Sequence, residues 1–202
     1  MSPPRSNYLI VSLIQIQHVV KQHRPRRKML RAVMKRSAVA MILREHLGEA
    51  EILMIKRAER DGDPWSGHMA FPGGRMEPED RHGLDVARRE TREEIGLDLD
   101  PASCFGRLSE LMTHVQLRRR PMVVSPYLFH QVSDVELTLN YEVDEVIWIP
   151  VSFLTNRSNR ETMIWKRGGA RVPLPCYMYK GRRVWGLSLM MLDELLDLLP
   201  RS

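Results

Sequence analysis

The sequence is poor in cysteine, long apolar runs and internal repetition, and its first 36 residues hold no acidic side chain. Each absence excludes something. Two cysteines, Cys104 and Cys176, stand far apart with no companion motif, which argues against a disulfide scaffold or a zinc site and favours a reducing compartment. The longest apolar stretch, Tyr8–Val20, is broken by Ser12, Gln15, Gln17 and His18 and falls short of the roughly 20 residues that cross a bilayer. It also lacks the small-residue cleavage site of a signal peptide. Aromatic residues make up only 6% of the chain, and no low-complexity segment appears.

Charge is unevenly placed. Residues 1–36 hold nine Lys or Arg, leaving 22 basic against all 25 acidic residues downstream, a net of −3. The overall +6 therefore belongs to a basic extension on a mildly acidic body. Such an extension can be a solvated helix, or can meet an acidic partner, nucleic acid or an anionic membrane surface. Nucleic acid is not the expected partner. Cytoplasm is the expected location, although an acid-free, Arg-rich start also suits import into the mitochondrial matrix. At 202 residues and 43% hydrophobic, the chain suits one domain, residues 37–202, behind the partly helical extension 1–36. The extension is expected to be dispensable for catalysis, and its Tyr8–Val20 segment to offer a surface for a homodimer.

Residues Ser37–Arg44 and Glu51–Arg57 read as a hairpin turning at Leu47-Gly48-Glu49. Met69–Phe71 is a brief extended piece stopped by Pro72-Gly73-Gly74. A helix is predicted from about Gly83 to Ile95, with Leu84, Ala87, Thr91 and Ile95 on one stripe and Gly96 as its C-terminal cap. Strands follow at Cys104–Met112, Met122–Val132 and Glu145–Ile149, then a short helix at Val151–Leu154. Short strands at Met163–Lys166 and Val184–Leu187 precede a closing helix, Leu189–Leu199. Strands mixed with helices on both sides predict an α/β sandwich.

Chemistry concentrates in Gly73–Leu97 (G-G-R-M-E-P-E-D-R-H-G-L-D-V-A-R-R-E-T-R-E-E-I-G-L). Glu90, Glu93 and Glu94 stand at i, i+3 and i+4, so their carboxylates crowd one face of a helical turn. Three like charges there repel unless a cation is held among them, and Mg²⁺ takes oxygen ligands of this kind. With the opposite stripe anchored to a sheet, the carboxylates are expected to form a rigid, exposed ridge. Gly73 and Gly74 allow close backbone approach, so they could offer a carbonyl to a metal or amides to a phosphate. A solvated helix of Glu/Arg pairs is the plainer reading of the same residues.

The ordered combination resembles the Nudix signature, G-x5-E-x7-R-E-U-x-E-E-x-G-U with U a bulky apolar residue. Gly74, Arg89, Glu90, Glu93, Glu94, Gly96 and Leu97 fall on its fixed letters. Fourteen residues instead of thirteen separate Gly74 from Arg89, Asp80 fills the first acidic position, and Thr91 stands at the first U. The resemblance implies a Nudix-type α/β/α sandwich with a mixed sheet, and a metal-dependent cut of a diphosphate linkage in a nucleotide-like small molecule. It implies Glu90 and Glu94 as the main ligands of Mg²⁺ or Mn²⁺, with Glu93 and the Gly74 carbonyl in support. Arg89 would pair with a glutamate and orient it. A general base is left open between Glu142 and Glu145 in Y-E-V-D-E, where a polar strand entry serves equally well.

A longer resemblance, to the coenzyme A diphosphatase branch, rests on Gly67–Gly74 (G-H-M-A-F-P-G-G), the lengthened box, Glu142–Pro150 (E-V-D-E-V-I-W-I-P) and Lys180–Leu192 (K-G-R-R-V-W-G-L-S-L-M-M-L). That branch carries an upstream pattern whose T, S, L and R positions here hold Lys56, Glu59, Gly62 and Asp63. An aspartate in place of a phosphate-seeking arginine keeps ADP-ribose and dinucleotides as alternative substrates. Arg118, in the run Arg118–Arg120, is a candidate to catch an outer phosphate, and a solvated loop is the alternative. Trp65, Trp165 and Trp185 could stack on a base or simply pack. A non-catalytic nucleotide sensor is the rival class, and the complete set of glutamates argues against it.

Overall fold

A computed structural model describes residues 10–61, 66–113, 121–131, 135–167 and 169–200. Among its described residues the extension forms one helix, α1 (Leu13–Gln22), and a 3₁₀ turn at Met29–Ala32. A capping box starts α1: the Gln15 amide donates to the Ser12 hydroxyl and the Ser12 amide to the Gln15 side chain.

The expected hairpin is β1 (Lys35–His46) and β2 (Glu49–Arg57), paired antiparallel. Leu47 and Gly48 both take positive φ, 51° and 80°, the backbone a two-residue hairpin turn demands. Two short strands follow, β3 (Met69–Ala70) on β2 and β4 (Gly73–Arg75) on β1. The helix predicted at Gly83–Ile95 is α2 over those same residues, closed by Gly96 at φ 71°. Beyond it lie β5 (Cys104–Arg107), β6 (Leu111–Met112), β7 (Met122–His130), β8 (Val143–Pro150) and helix α3 (Val151–Thr155). The chain then builds a second antiparallel sheet, β9 (Arg160–Arg167), β10 (Ala170–Tyr179) and β11 (Arg182–Val184), and ends in α4 (Gly186–Asp197).

The large sheet runs β3-β2-β1-β7-β5, with β8 also on β2, β4 on β1 and β6 on β7. The β1/β7 pair is parallel and the other pairs are antiparallel, so the sheet is mixed. Alternation along β1 divides the interior. Ala38, Ala40 and Ile42 join Val86, Ala87 and Ile95 of α2 in one core. Met41 and Leu43 point the other way, into a core with α1, α3 and α4 residues such as Ile16, Leu154 and Leu192. Helices thus cover both faces, giving the α/β/α sandwich.

Three readings of the sequence change. The single strand expected at Cys104–Met112 is two, interrupted where the Leu108 amide donates to the Pro126 carbonyl and that of Glu110 to the Arg26 carbonyl. Strand β10 had no forecast, and it carries Pro173 and Pro175, which suit a ladder poorly. They are tolerated because β11 pairs only with Tyr177–Tyr179, so the prolines face an edge where no third strand needs their amides. At the C-terminal end only Val184 of the expected Val184–Leu187 strand is in β11, and α4 already begins at Gly186.

Part of the apolar face of the extension is occupied by its own chain, while Ile10 and Ile14 of the same segment stay exposed. Val11, Leu13, Ile16 and Val20 lie in the core, Ile16 with no exposure. A Cβ on Gly106 would come within 2.4 Å of Val20 Cγ1, so β5 offers a glycine where α1 seats a valine. The Ala50 amide donates to the Val11 carbonyl and the Leu13 amide to Glu45. Removing residues 1–36, which the sequence leads one to expect to be dispensable for catalysis, is therefore expected to destabilise the protein. Ile16→Ala alone should cost about 2–5 kcal/mol, read as a shift in the urea midpoint. An unshifted midpoint in the truncated chain would show that this packing contributes nothing.

No helix among the described residues is long and apolar enough to cross a membrane.

Candidate active site

The N-terminal end of α2 is held by Asp85, whose carboxylate accepts from the amides of Arg81 and His82. Thr91, which stands where the Nudix pattern expects an apolar residue, is fully buried and donates its hydroxyl to the Ala87 carbonyl at 2.7 Å. A threonine fits there because its only polar atom is satisfied four residues back in its own helix.

The three glutamates do not share one exposed ridge. Glu94 is buried, 3% exposed, and Oε2 accepts from the Gly73 amide at 2.9 Å. The cause is the return of β4 alongside α2, which shuts Glu94 between its own helix and the strand. Glu90 is half-buried, and Glu93 points outward with half of its side chain exposed. The Gly73 amide, expected to be available to a phosphate, is engaged by Glu94.

Gly74 is needed for a specific reason. A Cβ there would lie 2.1 Å from Glu90 Oε1 and 2.3 Å from its carboxyl carbon, so Glu90 fills the volume that any other residue would claim. At Gly73 a Cβ would meet the Ala38 carbonyl oxygen at 2.3 Å, which fixes β4 tight against β1.

Arg89 organises the acidic side chains. It pairs with Glu90 at 2.9 Å and Glu93 at 3.2 Å, as expected of an orienting arginine, and donates to the Arg75 carbonyl. It also grips Asp80 through two nitrogens, at 2.9 and 3.2 Å. Asp80, displaced in sequence by the extra residue, thus serves as the anchor of Arg89. The loop brings it there by a local turn in which Asp80 accepts from the Glu77 amide. The Arg89 hydrogen bond holds the Asp80 carboxyl below the usual range.

Glu142 and Glu145 separate clearly. The segment before β8 is stitched to the last turn of α2, the Thr138 amide donating to the Ile95 carbonyl and the Asn140 amide to that of Glu94. Glu142 follows, its carbonyl accepting from the Ala58 amide at the end of β2 and its carboxylate 3.3 Å from Arg60. It is close enough for its charge to act on Glu94. Glu145 instead forms a two-pronged pair with Arg182 of β11 and is committed to joining the sheets.

Electrostatically the site wants a cation. Burial pushes the Glu94 carboxyl up to about 8, with the Gly73 amide opposing and Glu90 adding to the rise. Burial also raises Glu90, against the pull of Arg89. Arg57, at the end of β2, is a positive neighbour of Glu94 that the sequence reading missed. The sequence places Arg57 only at the end of the strand Glu51–Arg57, which carries no sign of this neighbour. Among the described residues no three acidic, His or Cys side chains already converge at metal-ligand spacing, since Arg89 draws Glu93 aside. The donor set nevertheless fits a hard divalent ion: two adjacent carboxylates short of solvation, with backbone packed directly against one of them.

Asp63, Gly62, Trp65 and Arg118–Arg120 lie outside the described residues. Of the branch's upstream positions, Lys56 pairs with Asp144 at 2.6 Å. Trp165 and Trp185 meet each other at 6.3 Å, and His68 packs edge-on against Trp185 at 5.0 Å.

Comparison with known proteins identifies the family. A NUDIX domain profile matches residues 34–166. The human mitochondrial coenzyme A diphosphatase NUDT8 is 30% identical over 176 residues, covering 84% of this chain and 72% of that protein. Nudix hydrolase 3 of Caenorhabditis elegans is 30% identical over 153 residues, 66% of this chain and 60% of its own length. A crystal structure of a MutT/nudix family protein from Enterococcus faecalis superposes with a TM-score of 0.56 at 18% identity, covering 93% of this chain and 68% of that one, a likeness of fold. With its signature helix, mixed sheet and acidic site, the chain belongs to the Nudix hydrolase family and is a pyrophosphohydrolase of phosphorus anhydrides.

Proposed function

We propose that the protein hydrolyses the diphosphate of coenzyme A or an acyl-coenzyme A, releasing adenosine 3′,5′-bisphosphate and a 4′-phosphopantetheine. The observation that carries the substrate is the 30% identity, over 84% of the chain, to a human protein named a coenzyme A diphosphatase. The lengthened signature box supports it.

In this reading Glu94 and Glu90 hold Mg²⁺ or Mn²⁺, with the Gly74 carbonyl and Glu93 in support. The bound ion would neutralise the diphosphate and lower the pKa of the attacking water. Arg89 keeps Glu90 at its place beside Gly74, and Asp80 keeps Arg89. Glu142, close to Glu94 and balanced by Arg60, is the group positioned to accept the water's proton. Glu145 is unsuited to that task because both its oxygens bind Arg182. Gly73 contributes by fixing Glu94 rather than by touching substrate, and Arg118 keeps its candidacy for an outer phosphate.

Asp63, at an arginine position of the branch, favours a second reading, hydrolysis of ADP-ribose or dinucleotides. A panel of coenzyme A, acetyl-coenzyme A, ADP-ribose, NADH, diadenosine polyphosphates and nucleoside triphosphates with Mg²⁺ separates the two. The highest kcat/KM is expected for the coenzyme A compounds, and a preference for ADP-ribose would remove them as substrates.

For location we infer a reducing compartment, since Cys104 and Cys176 are both free thiols. Cytoplasm satisfies this, as does the mitochondrial matrix suggested by the human relative's name.

A further inference from the structure

The basic strap between α1 and β1 has no part in the site just described. Its backbone is pinned to the connection between β5 and β6. The Arg26 amide donates to the Ser109 hydroxyl at 3.0 Å, the Lys28 amide donates to Glu110 at 2.7 Å, and the Glu110 amide returns a bond to the Arg26 carbonyl. Glu110 is itself buried, 2% exposed, and pairs with Arg31 at 3.0 Å. One buried carboxylate therefore staples the strap, while most of its basic side chains face solvent. Arg24, Arg26, Arg27, Lys28, Lys35 and Arg36 are all exposed.

Between these cations stand two exposed aliphatic side chains, Met29 at 98% and Val33 at 83%. They are four residues apart around the 3₁₀ turn at Met29–Ala32. Set among clustered cations, these two aliphatic side chains make the strap amphipathic. Beside the strap lies an open recess of about 340 Å³ lined by Cys104, Phe105, Gly106, Arg107 and Tyr127. The charges of Arg27, Arg31 and Arg107 all reach the Tyr127 phenol, so strap and recess form one positive field.

We propose that this strap docks the protein on an anionic phospholipid surface, Met29 and Val33 entering the interface and the surrounding arginines and lysines meeting lipid phosphates. Exposed aliphatics flanked by clustered basic residues are what interfacial binding requires. Single-stranded nucleic acid is the poorer match, because residues 21–36 hold no Phe, Tyr or Trp on which a base could stack.

The test is co-sedimentation of the full chain with vesicles of phosphatidylcholine alone and of phosphatidylcholine mixed with phosphatidylserine. Binding is expected only to the acidic vesicles and should weaken as salt rises. Arg27→Glu combined with Lys28→Glu should lower the partition by more than about twenty-five-fold, at roughly five-fold or more for each charge. Met29→Asp with Val33→Asp should also release the protein, without altering the thermal midpoint, since neither side chain is packed. Equal partition onto both vesicle types overturns the proposal. So does acidic-vesicle binding that survives Met29→Asp/Val33→Asp, or tighter binding to an RNA or DNA duplex than to the vesicles.

Discussion

Glu94→Gln is expected to lose turnover by on the order of 10²–10³-fold or more while making the metal-free protein more stable at alkaline pH. Both effects have one origin. Glu94 is a buried carboxylate with one backbone donor and two acidic neighbours, and burial lifts its pKa from 4.5 to about 8. A raised acid pKa means that the folded state holds its proton more tightly than the unfolded state. The associated stability is complete below the unfolded pKa of 4.5 and is lost as pH rises through about 8. Metal-free wild type should therefore lose on the order of a few kcal/mol between these limits, and Mg²⁺ should restore most of it. Gln at position 94 still accepts from the Gly73 amide but has no charge to desolvate. Its metal-free Tm should be flat over that window, above wild type at the alkaline end, and unresponsive to Mg²⁺. Thermal unfolding with and without EDTA, read beside single-substrate kinetics, measures all of this. A folded variant with near-normal kcat at saturating Mg²⁺ would falsify the ligand role of Glu94.

Much of this site was legible because local rules coincide there. The 3.6-residue stripe, Gly96 and the turn at Leu47-Gly48-Glu49 between two apolar runs each point the same way as the final packing, so α2 and the hairpin follow from sequence. What stayed hidden depends on contacts distant along the chain. The helical spacing of Glu90, Glu93 and Glu94 shows that they are neighbours, but not that β4, some twenty residues upstream, closes over Glu94 and leaves Glu93 outside. Asp80 could be counted only as a displaced signature residue. Its two bonds to Arg89 depend on how the lengthened loop folds back. The docking of α1 is invisible for the same reason. Val20 has value as a core residue only because a glycine at 106 receives it. In β10, Pro173 and Pro175 forbid a ladder only where an amide is needed, and the sequence does not show which edge they face.

Neighbouring glycines at 73 and 74 should fail in opposite ways when each is replaced by alanine. At Gly74 the new methyl would coincide with the Glu90 carboxylate, 2.1 Å from Oε1. That carboxylate is the far end of a flexible side chain, so it can swing aside at modest cost to the fold. In doing so it leaves its place beside the backbone and alters its 2.9 Å pairing with Arg89. Gly74→Ala should thus fold with a nearly unchanged midpoint. It should bind Mg²⁺ about 10–100-fold more weakly and lose around 10²-fold in kcat/KM, the scale of an active-site group misplaced by an ångström. At Gly73 the obstruction is the Ala38 carbonyl at 2.3 Å and Val39 Cα at 2.7 Å, which are backbone of the central strand and cannot swing. Gly73→Ala must push β4 off β1, and with it the amide that holds Glu94. It should cost on the order of 1–3 kcal/mol or more in stability, with activity falling in step. Urea titration and Mg²⁺-dependent kinetics on both variants give the comparison. If Gly74→Ala keeps full activity and Mg²⁺ affinity, the position of Glu90 against the backbone has no part in catalysis. If instead it unfolds as readily as Gly73→Ala, the glycine pair serves the packing of β4 alone.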